Sequence, residues 1–171
     1  MANEYLTRTP TSSGNRKVFT WSGWVKRNKL HSSGGTFFNG ILGVGLVDGA
    51  EDSFMFSGDT LRLRCEVGTD IQTDNKYRDP GNWIHVMMVV NTTLYDPDHR
   101  CIFYMNGVKS DVMASENDIT QNATLKINSI DSHYLGEFPR VGEHLDSQLF
   151  DVFLVDGQAL TPDVFGFYKD G

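Results

Sequence analysis

The clearest pattern along the chain is the stretch Leu61-Arg62-Leu63-Arg64-Cys65-Glu66-Val67, in which apolar and charged residues alternate without exception. Period two puts Leu61, Leu63, Cys65 and Val67 on a core face and the charges in water, as in one strand of an antiparallel sheet. Residues 18–27, VFTWSGWVKR, divide the same way. Phe19, Trp21 and Val25 share one face; Val18, Thr20, Ser22 and Trp24 share the other. Ser57-Gly58-Asp59 joins two short strands within SFMFSGDTLRLR. Asn106-Gly107 marks a hairpin in CIFYMNGVKSDVM, because a type I′ turn needs positive φ at both central positions. A long late strand, DSQLFDVFLVDG, ends at Asp156-Gly157.

Residues 83–91, WIHVMMVVN, are apolar almost throughout, rich in valine and bounded by the turn clusters DPGN and NTT. They predict a central strand covered on both sides. Ile84, Val86, Met88 and Val90 lie on one face, with Trp83, His85, Met87 and Val89 on the other. One segment reads as helix: Thr161 caps, Pro162 takes the first helical position and Asp163 favours the N-terminal dipole. Residues 113–131 are the most polar stretch and predict a surface loop around one weak strand. Turn residues punctuate the rest about every 8–12 residues. The expected fold is all-β, a two-sheet antiparallel β-sandwich with one short C-terminal helix, formed by residues 1–171 as a single domain.

Composition narrows the function classes. A formal charge of −7 argues against general affinity for nucleic acid, and no apolar run is long enough to span a bilayer. The opening Met-Ala-Asn-Glu-Tyr has neither the basic nor the apolar region of a secretion signal. Cys65 and Cys101 fall in strand-like segments and lack metal spacing, so they are expected as reduced core thiols. The Asn-X-Thr sequons at Asn91 and Asn122 carry little weight in a chain of the reducing cytosol.

Candidate chemistry is sparse. The glycines of GGTFFNGILGVG do not follow a strand and open a helix, so the phosphate-loop readings fail. No Gly-x-Ser-x-Gly is present, and His31, His85, His99, His133 and His144 contain no pair at short metal spacing. Calcium has a weak candidate in Asp48, Glu51 and Asp52. Tyr77, Tyr95 and Tyr134 lie near loops, where they either stack on sugar rings or pack against protein. No catalytic, cofactor-binding or metal-binding residue is predicted, no cofactor is expected, and the residues of any glycan site are left unassigned.

Three blocks in order carry a family resemblance: FTWSGWVKR (19–27), NWIHVMMVVN with RCIFYMNGVKSD (82–111), and YLGEF with LDSQLFDVFLVDGQALTP (134–162). They resemble the concanavalin A-like lectin/glucanase superfamily, within it the laminin-G-like jelly-roll modules. The resemblance implies a concanavalin A-like jelly roll, a fold that serves lectins, adhesion modules and hydrolases alike. The sandwich glucanases carry their carboxylates at alternate positions of one strand. Here Glu143, Asp146 and Asp151 are three and five apart, which does not keep them on one face, so catalysis is not carried over.

A narrower resemblance links YLTRTPTSSGNRKVFTWSGWVKR and FLVDGQALTPDVFG to jelly-roll modules in structural proteins of tailed bacteriophages, marine and cyanobacterial ones especially. It implies a non-enzymatic virion protein, made in the host cytoplasm, that decorates or cements the capsid or forms part of a tail fibre. The implied partners are other virion proteins and copies of itself, a trimer being favoured by capsid and fibre symmetry. Such modules continue past the short helix with a Trp-containing segment, whereas this sequence ends at FYKDG, as a short stand-alone version or a fragment of a longer chain. A lectin-like module recognising host surface polysaccharide is the alternative, and a glycoside hydrolase a weaker one. In the jelly-roll reading Trp83 packs and His85 bonds across the sheet. The His85→Ala variant is therefore expected to melt at lower temperature yet still bind particles in its folded fraction, by thermal scan and co-sedimentation; lost binding at unchanged stability would make His85 a site residue.

Overall fold

The computed structural model describes residues 4–30, 38–45, 51–112, 117–138 and 143–166. Thirteen strands are present among them: β1 Leu6–Arg8, β2 Val18–Arg27, β3 Phe38–Val44, β4 Asp52–Ser57, β5 Thr60–Arg64, β6 Asp70–Gln72, β7 Trp83–Asn91, β8 Cys101–Met105, β9 Val108–Lys109, β10 His133–Leu135, β11 Glu137–Phe138, β12 Glu143–His144 and β13 Ser147–Asp156. A six-stranded antiparallel sheet runs β1-β10-β3-β4-β5-β6 and a five-stranded one β13-β2-β7-β8-β9, with β11-β12 a separate hairpin.

Alternation builds the core as the sequence implies. Phe19, Trp21 and Val25 of β2, the four even-numbered apolar residues of β7, and Phe103 of β8 face Leu42, Phe54, Phe56, Leu61 and Leu63 of the other sheet. The ring of Trp21 meets Phe54 edge-on at 5.3 Å, and Phe54 stacks on Phe103 at 5.8 Å, which ties the two sheets through aromatic contact. Asn106 and Gly107 both have positive φ, 50° and 78°, so the β8–β9 turn is of the primed kind. A Cβ at Gly23 would lie 2.8 Å from the Trp21 ring, so the strand needs glycine there.

Three features differ from the expectation. The alternation of 61–67 is cut short: Val67 is exposed, because the chain turns at Gly68 with φ 85°. No α-helix is present among the described residues. Pro162–Val164 form one 3₁₀ turn, and the Thr161 hydroxyl donates to the Asp163 carboxylate instead of capping a backbone N–H. The described part of 113–131, residues 117–131, holds no strand and is not merely surface, since Ile119, Leu125 and Ile127 are fully buried.

Side chains and scattered backbone bonds hold that segment, among them Leu125 N–H to Arg16 O at 3.1 Å and Asn122 N–H to Thr92 O at 2.7 Å. Buried Asp52 accepts the N–H of Glu66 at 3.1 Å through Oδ1; its Oδ2 accepts the N–H groups of Lys126 and of Ile127, the latter at 3.2 Å. Burial raises its pKa and these three donors pull it back down. Arg16 Nε donates to Leu125 O at 2.5 Å, and Thr92 Oγ1 to Ala123 O at 2.8 Å. His133 closes the next turn: its Nδ1 donates to Asp131 O at 2.8 Å and its Nε2 accepts the Asn128 N–H at 3.0 Å. That pattern fixes a neutral imidazole.

Arg27, although it stands between Lys26 and Lys29 in a short basic group, is turned inward. Its guanidinium is 1% exposed, lies 4.5 Å over the Phe56 ring, and donates to Tyr77 O at 2.7 Å and Gly58 O at 2.9 Å, with Asp59 at 3.3 Å.

Two outcomes follow from these groups. Asp52→Asn places an amide N–H₂ against backbone donors and is expected to cost about 1–3 kcal/mol in chemical denaturation; unchanged stability would mean that Asp52 does not hold residues 126–127. Burial, the largest influence, holds the His133 imidazole below its ordinary value. Its contribution is then in full above the unfolded value near 6.5 and is lost as pH falls through the folded value. The melting temperature should drop from pH 7 to pH 5, and drop less in His133→Gln, whose amide oxygen still accepts the Asn128 N–H.

Candidate functional site

Odd-numbered residues of β7 point away from the core, onto the outer face of the five-stranded sheet. Register places Trp24 of β2 opposite His85, and Lys26 opposite Trp83. His85 Nε2 and Ser22 Oγ share a hydrogen bond of 2.8 Å, and the imidazole lies 5.2 Å from the Trp24 ring and 6.3 Å from Phe165. Burial lowers its pKa, so the ring is neutral at neutral pH. The backbone of His85 is also held: its N–H donates to Asn106 Oδ1 and its carbonyl accepts the Asn106 N–H, both at 2.8 Å. The residues after β13 cross this face, where Leu160 N–H donates to Thr20 Oγ1 at 2.9 Å. A cleft of about 130 Å³ remains, with Trp24, His85, Asn106, Pro162 and Phe165 in its walls.

Ser22 and His85 have the spacing of a nucleophile and a base. Ser22 is only 1% exposed, however, and among the described residues no carboxylate orients the imidazole. The pair is cross-strand bonding, as the sequence reading of His85 expects.

Beside the cleft lies an aromatic stripe. Trp83 is 41% exposed, Phe150 60% and Phe153 48%. Trp83 meets Phe150 edge-on at 6.2 Å, and Phe153 lies 6.1 Å from Phe165. Sequence spacing hides this stripe, since residues three apart on a regular strand face opposite ways. The register of β13 on β2 shifts between Phe150, opposite Trp24, and Phe153, opposite Ser22. Asp151 sits in that bulge with φ 49°, and the extra residue brings both phenylalanines to one face.

The other candidates disperse. Tyr77 is partly buried and donates its hydroxyl to Ser110 Oγ at 2.7 Å. Tyr95 is 89% exposed, and Tyr134 lies 6.0 Å from Tyr5. His99 pairs with Asp96 at 2.9 Å, His144 stacks on Tyr5 at 5.9 Å, and His31 lies outside the described residues. For the calcium reading, Asp48 is likewise outside, and Asp52 is spent on backbone donors in the core. Glu51 is buried beside a polar cavity of about 270 Å³. No group of three or more His, Cys, Asp and Glu gathers as a metal site among the described residues. Of the three spaced acids, Asp146 accepts from Asn28 Nδ2 at 3.3 Å and Asp151 stands on the bulge, while the side chain of Glu143 is not described. Cys65 and Cys101 are buried and free, with burial raising both thiols.

Solved structures share this architecture. Domains LG4-5 of the mouse laminin alpha1 chain align with a TM-score of 0.63 at 13% identity, over 92% of this chain and 43% of that one. Domain 4 of a GH43 extracellular arabinanase from Geobacillus stearothermophilus, in complex with arabinotriose, gives 0.55 at 18% identity, over 90% and 66%. Trypanosoma rangeli sialidase in complex with sialic acid gives 0.54 at 18% identity, over 82% of this chain and 21% of the sialidase. These identities speak for the fold alone, and the chain covers less than two thirds of each. No curated protein sequence matches. The family model described as the concanavalin A-like lectin/glucanases superfamily matches residues 2–163, nearly the whole length, and the chain belongs to that superfamily.

Proposed function

We propose that this chain is a non-enzymatic structural module of a bacteriophage virion, decorating or cementing a capsid or forming part of a tail fibre, and that it holds its neighbours through the outer face of the five-stranded sheet. The aromatic stripe of Trp83, Phe150 and Phe153 carries the reading. An exposed cluster of large rings on rigid strands costs solubility unless a partner covers it, and aromatic anchors dominate protein–protein contacts. Two of the three rings are phenylalanines, which have no polar handle for a sugar hydroxyl and favour a protein surface. The virion setting rests on the resemblance of residues 5–27 and 153–166 to phage modules. Asp52, His85 and His133 fit this role, since each is engaged in holding the fold.

A glycan-binding role is the second reading. The sialidase and the arabinanase domain of the same fold are seen with sialic acid and with arabinotriose. Trp83 beside the cleft of Trp24, His85 and Asn106 offers a ring next to polar groups.

The double variant Trp83→Ser/Phe153→Ser separates these readings. Both side chains are exposed, so the variant is expected to fold with little change in melting temperature. Co-sedimentation with particles, or self-association by light scattering, should weaken by roughly tenfold or more. Undiminished association would exclude the stripe as the contact, and a wild-type chain that stays monomeric and never joins a particle would exclude the virion role. A glycan array that lights up with the wild type and goes dark with the variant would establish the second reading instead.

A further inference from the structure

Each sheet ends in a strand paired on one side only among the described residues: β1 in the six-stranded sheet and β13 in the five-stranded one. A groove of about 610 Å³ lies between them, walled by Glu4, Tyr5 and Leu6 on one side and by Leu149, Phe150 and Asp151 on the other. At ten residues β13 offers an edge about 33 Å long at about 3.3 Å per residue. Edges of that length are ordinarily covered, charged or broken, because their N–H and C=O groups template the addition of another strand. Here a bulge interrupts the edge at its middle. Apart from pairing with β2, no hydrogen bond among the described residues engages the backbone of 147–155.

The side chains around that edge fit a particular partner. Tyr5 is 43% exposed and Phe150 60%, giving apolar seats on both walls. The carboxylates of Glu4 and Asp151 enter no ion pair among the described residues, whereas Asp59 and Asp70 are matched by arginines. The bulge puts Asp151 in the left-handed region at φ 49°, a conformation in which a bulged residue is turned out of the strand's alternation. A second copy is the poorer occupant, because antiparallel self-pairing centred on β13 brings Asp151 beside its own counterpart, like charge near like.

The geometry points to this groove as the seat of an extended peptide strand from another protein, one that adds to the free edge of β13 and sets lysine or arginine against Glu4 and Asp151. Main-chain bonds along the two stretches of β13 that flank the bulge supply affinity; the two carboxylates and two rings supply selectivity. The groove shares Phe150 with the outer-face contact, but neither Trp83 nor Phe153 lines it, so a variant at those two residues tells the two surfaces apart.

The test uses the whole chain and a blocked peptide of about eight residues alternating valine and lysine, a length suited to strand addition. Isothermal titration should show binding, with slowed amide exchange in 147–155. The Glu4→Gln/Asp151→Asn variant should weaken it by about tenfold, while Trp83→Ser/Phe153→Ser leaves it unchanged. A valine–glutamate peptide, and a valine–lysine peptide N-methylated at alternate residues, should not bind. Equal binding of the N-methylated peptide would reduce the effect to surface charge and overturn strand addition. Absence of binding, protection confined to other strands, or self-association that protects 147–155 without peptide would overturn the proposal as well.

Discussion

The carboxylate of Asp52 stands where the closing segment of the sandwich meets the six-stranded sheet. Residues 117–131 close the core with Ile119, Leu125 and Ile127 but form no strand, and only scattered backbone bonds serve them. Burying such a segment leaves N–H groups whose desolvation costs more than any single apolar contact returns. One buried acid at the start of β4 takes the N–H groups of residues 66, 126 and 127 and so joins a strand, a turn and the closing segment at a point. Arg27 does the same at the far end of β2, where its guanidinium holds the carbonyls of Gly58 and Tyr77. Asp52 thus ties the closing segment to the six-stranded sheet and Arg27 ties the two sheets together, with the aromatic contacts of Trp21, Phe54 and Phe103 filling the space between.

This division explains what could be read from residue order. Strands with alternating faces, such as β5, and turns with obligatory positive φ, such as Asn106-Gly107, are local properties and stand where the pattern puts them. The central position of β7 was equally legible, because two apolar faces require cover on both sides. The buried segment before β10 was not. Its polarity reads as solvent exposure, and nothing local says that Asp52, more than sixty residues earlier in the chain, satisfies its backbone. The C-terminal turn failed for a related reason: Thr161 and Pro162 are sound helix-starting chemistry, yet the chain from Gln158 onward is held flat against β2 by Thr20.

The candidate site was legible only in part. His85 could be assigned to the scaffold because a histidine inside an apolar strand meets a cross-strand hydroxyl more readily than a substrate, and Ser22 is that hydroxyl. The aromatic stripe was not legible, since a regular strand separates Phe150 from Phe153 by face, and only the register on β2 shows one residue too many. A bulge is a property of the pair of strands, so it has no signature in either strand alone.

The pairing of β13 with β2 joins Ser147–Asp156 to residues that precede them by well over a hundred positions. Contacts so distant in sequence form late, after the loop entropy between them has been overcome. Phe150 and Phe153 are carried on that last strand, and the outer face they share with Trp83 exists only once it has docked. The shared outer face is therefore withheld from the nascent and half-folded chain and is exposed only by the finished fold.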